Sequence, residues 1–85
     1  MSKKVFIGGL NWSIKEEDLI KAFESLGKII TATVIRDRMT SRSKGYGFIT
    51  FEDDQAADLA IKQMNGKTLD GKNITVSLAQ EKTPR

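Results

Sequence analysis

Two residue types are missing from this chain altogether: there is no cysteine and no histidine. Without cysteine there is no disulfide staple, no thiolate metal site and no thiol nucleophile. Without histidine there is no imidazole for metal ligation or general acid–base work. With both gone, neither a zinc site nor any other metal or cofactor is expected. No apolar run approaches the length needed to span a bilayer. The opening Met1-Ser2-Lys3-Lys4 leads only into a short strand, not a signal peptide's apolar stretch. A soluble, intracellular chain, cytoplasmic or nuclear, is therefore expected. At 85 residues it suffices for one small domain with a modest core. That domain is read over 1–80, with a polar, loose tail over 81–85 that contains Pro84, the single proline.

The net charge of +3 hides an asymmetry. Residues 13–26 and 52–65, read below as helices, hold eight acidic and three basic residues, while the remainder holds eleven basic and three acidic. Helix dipoles explain why acids gather at helix starts. They do not explain the surplus of bases elsewhere, which would draw a polyanion to one side of the molecule.

The most informative stretch is Lys44-Gly45-Tyr46-Gly47-Phe48-Ile49-Thr50-Phe51. It alternates as a strand does, so Lys44, Tyr46, Phe48 and Thr50 share one face and Gly45, Gly47, Ile49 and Phe51 the other. Two rings on the same face as a lysine point to an open aromatic surface rather than a core. Phe51 and Phe23 are assigned to the core instead. Upstream, Val5-Phe6-Ile7-Gly8-Gly9-Leu10 alternates with Val5 and Ile7 inward and Phe6 outward.

The rest of the chain supplies the frame. Ser13-Ile14-Lys15-Glu16 reads as a capping box opening a helix, with Leu19, Ala22, Phe23 and Leu26 as its apolar stripe. Gly27 suits a left-handed stop. Ile29 to Arg36 is β-branched and strand-like, with Ala32 and Val34 inward and Thr31, Thr33 and Ile35 on the aromatic face. Asp37 to Ser43 is a polar loop, with Asp37 suited to tether it by turn chemistry. Asp53 or Asp54 caps a second helix, whose stripe is Ala57, Ala60, Ile61 and Met64. Asn65-Gly66 ends it and Asp70-Gly71 makes a turn. Ile74, Val76 and Leu78 form the inner side of a last strand. The order is strand-helix-strand-strand-helix-strand, an α+β, ferredoxin-like βαββαβ sandwich: a four-stranded antiparallel sheet with both helices on one face.

The Lys44–Phe51 string fits the basic-Gly-aromatic-Gly/Ala-aromatic-aliphatic-any-aromatic signature of the RNA recognition motif. Val5–Leu10 resembles that family's second signature. The Gly8-Gly9-Leu10 ending, where many members have Asn in the middle, resembles the glycine-rich and hnRNP-A-like branch. The resemblance implies that strands one and three are central neighbours, that Phe6 and Tyr46 each stack a base, and that Phe48 packs against sugars. It implies that Lys44 contacts a phosphate and that Gly45 and Gly47 leave room beneath for helix packing. Lys4, Thr33, Ile35 and Ser77 join the expected contacts, with Thr31 and Thr75 lining the platform's edges. Arg36, Arg38 and Arg42 form a mobile electrostatic rim, and backbone groups near Ala79 and Gln80 read base edges. Trp12 either props the first loop or touches RNA, with propping favoured.

The function implied is binding of single-stranded RNA by a monomer, with single-stranded DNA as a second ligand, modest sequence preference and no membrane partner. A protein-interaction module using the helical face is the alternative. An acylphosphatase-like enzyme shares the topology but needs an Arg in the first strand-helix loop. That loop here is Gly8-Gly9-Leu10-Asn11-Trp12, so no enzymatic activity is expected. It also lacks the Lys-Ser/Thr ending of a P-loop.

Overall fold

A computed structural model describes residues 3–79. Gln80 and the tail assigned to 81–85 lie outside the described residues. The elements run β1 (Lys3–Gly8), α1 (Glu16–Phe23), a 3-10 turn (Glu24–Leu26), β2 (Ile29–Arg36), β3 (Ser43–Phe51), α2 (Asp54–Met64), β4 (Thr68–Leu69), β5 (Lys72–Asn73) and β6 (Thr75–Leu78). Four strands form one antiparallel sheet in the order β2-β3-β1-β6, so β1 and β3 are the central pair. β4 and β5 make a separate small hairpin around Asp70-Gly71, both with positive φ, as a tight two-residue turn demands.

Inward residues of the strands meet the helical stripes in one core. Val5, Ile7, Ile49, Phe51, Leu19, Phe23, Ala57 and Ala60 are fully buried there. α1 lies against β2 while α2 lies against β1, β3 and β6. Burying two phenylalanines and several branched aliphatics is the main stabilising contribution, at roughly 1.5–3 kcal/mol for each large side chain. Among the described residues no polar side chain is buried.

Four local expectations need correction. Ser13 does not open α1. Its hydroxyl donates to Asp70 Oδ2 at 2.8 Å, and the reciprocal capping shifts to Asp18, whose carboxylate accepts from the Lys15 N–H at 2.9 Å. Gly27 is not left-handed but extended. It is glycine because a Cβ there would stand 2.4 Å from the Ala56 Cβ, where the chain passes under α2. Gly47 clears a strand rather than a helix: a Cβ would stand 2.3 Å from the Thr33 carbonyl oxygen of β2. Leu78 is 42 % exposed, because it ends an edge strand with a neighbour on one side only. The two caps at α2 follow expectation: Asp53 accepts from the Gln55 N–H at 3.1 Å, and Asn65 follows the last helical residue.

Candidate nucleic-acid interface

Both helices cover one side of the sheet, so the other side is lined only by outward side chains. Register builds the site. Phe6 stands opposite Phe48 on one flank and Ser77 on the other; Phe48 stands opposite Thr33. A single row thus crosses all four strands as Thr33, Phe48, Phe6, Ser77. The next row places Tyr46 opposite Gly8 and Gly8 opposite Thr75.

The three rings touch. Phe6 and Tyr46 have centroids 5.7 Å apart with planes tilted by 35°. Phe6 and Phe48 are 5.8 Å apart, and Tyr46 and Phe48 6.2 Å apart, both edge-on. These separations lie in the favourable range for aromatic pairs. Each ring is half-buried by its neighbours and keeps a surface towards solvent. Gly8 matters here, since a Cβ would come within 2.8 Å of the Phe6 ring, which leans over it towards Tyr46. The Lys4 ammonium lies 5.6 Å from the Phe48 centroid, a cation–π contact.

Around this platform the expected residues divide. Thr31, Thr33, Thr75 and Ser77 are exposed along it, and Ile35 is half-buried at its β2 margin. Lys44 does not follow simple alternation from Tyr46. Four residue steps of β3, Gly47 to Ser43, pair with two of β2, Val34 to Arg36, and Gly45 takes φ +87° within that bulge. Lys44 is exposed, and its charge helps hold down the pKa of Asp37. The Ala79 N–H donates to the Lys4 carbonyl at 3.1 Å, so that group is used within the sheet.

The basic rim is not uniform. Arg38 and Arg42 are exposed on the β2–β3 loop. Arg36 is paired: its guanidinium donates to both oxygens of Glu16, at 3.0 and 3.3 Å. Glu16 also accepts the Val34 N–H at 2.9 Å, on the edge of the sheet. The Arg36 hydrogen bond, followed by that of Val34, holds the Glu16 carboxyl at about 2, against an ordinary 4.5. The loop itself is built by Asp37, whose carboxylate accepts from Met39 and Thr40 at 2.8 and 3.1 Å. Those N–H groups, Thr40 foremost, lower its pKa.

Trp12 departs most from expectation. It props nothing: its side chain is 79 % exposed. With Ser13, Lys15, Arg36, Ser41, Arg42 and Ser43 it lines a groove of about 800 Å³.

The open aromatic sheet, flanked by polar and basic side chains, defines a surface that can take flat rings edge to edge along an anionic strand. The sequence matches the RNA recognition motif over residues 5–75, and the chain belongs to that family. It is 48 % identical over 83 residues to the mitochondrial glycine-rich RNA-binding protein 4 of Arabidopsis thaliana, covering 98 % of this chain and 61 % of that one. It is 49 % identical over 79 residues to glycine-rich RNA-binding protein 2 of Sorghum bicolor, covering 93 % and 47 %. The chain thus spans about half to three fifths of the length of these curated relatives. Among solved structures, RNA-binding protein PG1 superposes with a TM-score of 0.90 at 34 % identity, over 96 % of this chain and 99 % of that one. The Rna15 domain of the same family, solved with bound GU RNA, superposes with a TM-score of 0.82 at 27 % identity, over 92 % and 83 %. The glycine-rich branch expected from Gly8-Gly9-Leu10 is the one named in the first two relatives. The matched family is one of binding domains, not of enzymes. No helix among the described residues is long and apolar enough to cross a membrane.

Proposed function

We infer that this chain is a single-stranded RNA-binding module that works as a monomer, by binding and without catalysis. The observation that carries the reading is the cluster of Phe6, Tyr46 and Phe48, with centroids no more than 6.2 Å apart on the helix-free face. A ring stacks on any base, and bases in a duplex are already stacked on each other, so the platform selects unpaired strands. Phe6 and Tyr46 each take a base. Phe48, edge-on to both and with Lys4 over its face, packs against sugars. Thr33, Ile35 and Ser77 meet the flanks of those nucleotides, and the strand leaves past Ala79, whose N–H is already engaged by Lys4. Lys4, Lys44, Arg38 and Arg42 hold phosphates; Arg36, neutralised by Glu16, contributes little charge. The Rna15 domain, which shares the fold, is solved with bound GU RNA, and this supports RNA as the ligand.

Two stacks and three or four phosphate contacts, less the cost of ordering the strand, suggest roughly micromolar to high-nanomolar affinity. About 0.7 counterion per phosphate gives a salt slope of about −2 to −3. Single-stranded DNA is a second ligand, because stacking makes no use of the 2′-hydroxyl. The test is competition against a labelled single-stranded RNA. An unlabelled single strand should displace it far better than a perfect duplex of the same sequence. Equal displacement would mean that charge alone drives binding.

A further inference from the structure

We propose that Glu16 and Arg36 together stand in for a missing neighbour strand on the outer edge of β2, and so keep a second copy of this chain from adding its own β2 there. The device concerns the backbone edge of the sheet and not its ring-bearing face. It accounts for the monomer and holds whatever ligand the rings take. The sheet ends in β6 on one side and in β2 on the other. An edge strand presents backbone N–H and C=O groups that another strand can take. On the β6 side the chain's own path out of α2 covers them. Just ahead of β6, the Ile74 N–H donates to the Lys67 carbonyl and the Ile74 carbonyl accepts from the Gly66 N–H, both at 2.8 Å. Within β6, the Val76 N–H donates to the Asn65 side-chain oxygen at 3.0 Å.

β2 is closed by side chains instead. Val34 stands opposite Gly47 of β3, yet its N–H donates to Glu16 Oε2 at 2.9 Å. In an antiparallel ladder a residue whose N–H points away from its partner strand points its carbonyl away too. One guanidinium nitrogen of Arg36 lies 3.0 Å from Glu16 Oε2 and 3.5 Å from the Val34 carbonyl oxygen. A carboxylate thus takes the place of a neighbouring carbonyl, and a guanidinium N–H that of a neighbouring amide. The cover is local. Val34 is 3 % exposed, whereas Ile30 and Thr31 of the same strand are open, Ile30 at 52 %. Self-pairing about a two-fold axis uses the same edge on both copies. An antiparallel pairing of two β2 strands centred on Ala32 would set Val34 of each copy beside Ile30 of the other and bury that isoleucine. It needs the Val34 N–H and carbonyl, the two groups that Glu16 and Arg36 hold.

The test is made without RNA. Amide hydrogen exchange is followed on dilute parent and Glu16→Ala chains, and sedimentation velocity on both from micromolar to millimolar. The Val34 amide of the parent should exchange as slowly as that of Thr33, its neighbour in the β2–β3 ladder. In Glu16→Ala it should exchange about ten-fold faster, because its charged acceptor is gone. Glu16→Ala should then pass from monomer to dimer as concentration rises, while the parent stays monomeric. Arg36→Ala, which frees the Val34 carbonyl alone, should associate more weakly, and it decides the matter if Glu16→Ala does not fold. Asp18→Ala is the control. It removes the carboxylate that accepts from the Lys15 N–H at the start of the same helix, leaves the edge closed and should stay monomeric. A Val34 amide that exchanges in the parent as fast as a loop amide overturns the device, with no variant needed. So does a Glu16→Ala chain that stays monomeric at every concentration, or an Asp18→Ala chain that associates equally, which would trace association to a loosened helix. Each of these results leaves the ring platform as it stands.

Discussion

Phe48 and Phe51 stand on one strand, three residues apart, and meet opposite fates. Phe51 is fully buried between the sheet and its helices, whereas Phe48 is half-open among two other rings. Composition is the same; the difference is which face of the strand each occupies and what lies over that face. Two amphipathic helices, each with a single apolar stripe, cover one side of a four-stranded sheet and have nothing left to cover the other. An aromatic residue on the covered side stabilises the fold. On the bare side its ring stays partly open to solvent.

The largest effect that sharpens this contrast is on stability. Phe51→Ala should cost about 3–5 kcal/mol in denaturant unfolding, from lost burial and the cavity left behind. Next comes binding. Tyr46→Ala or Phe48→Ala should weaken single-stranded RNA binding by about 1–3 kcal/mol, with an unfolding midpoint shifted far less than in Phe51→Ala. If Tyr46→Ala unfolds the chain as badly as Phe51→Ala, the two faces are not different in kind and the platform fails. The smallest effect concerns the edge of the sheet. Because the Glu16 carboxyl is held at about 2 in the fold against an ordinary 4.5, its ionisation stabilises the native state fully above about pH 4.5. That contribution is lost as pH falls towards 2. Glu16→Gln should remove this part of the acid sensitivity. The effect should not exceed ~1 kcal/mol, as the Arg36 and Glu16 side chains are 35 % and 37 % exposed and solvent screens them.

Most of the architecture was legible because alternation and helical stripes are strong, redundant signals. Val5 and Ile7, Ile49 and Phe51, and Leu19 and Phe23 all went inward as read, and one motif named the central strands. What failed was local and depended on partners distant in sequence. Ser13 looked like a cap because Glu16 follows at the right spacing. Yet Asp70, 57 residues away, takes its hydroxyl, and Val34 and Arg36 take the Glu16 carboxylate. Gly47 was read as clearance for a helix when the close neighbour is a carbonyl of the adjacent strand. Arg36 reads as one more cation of the rim because sequence does not show the Glu16 carboxylate that pairs with it. For Trp12 the sequence favours propping over contact with RNA, since a lone indole in a loop most often packs. The available clue was its flanking pair, Asn11 and Ser13, two side chains suited to tether a loop from outside.

The central claim is that RNA lies on the ring-bearing face and not on the helices. Backbone amide shifts followed during titration with a single-stranded RNA pool test it most directly. The account predicts the largest changes at Phe6, Thr33, Tyr46, Phe48 and Ser77, with α1 and α2 nearly still. Changes concentrated on Glu16–Phe23 and Asp54–Met64, with the strand residues silent, would contradict it.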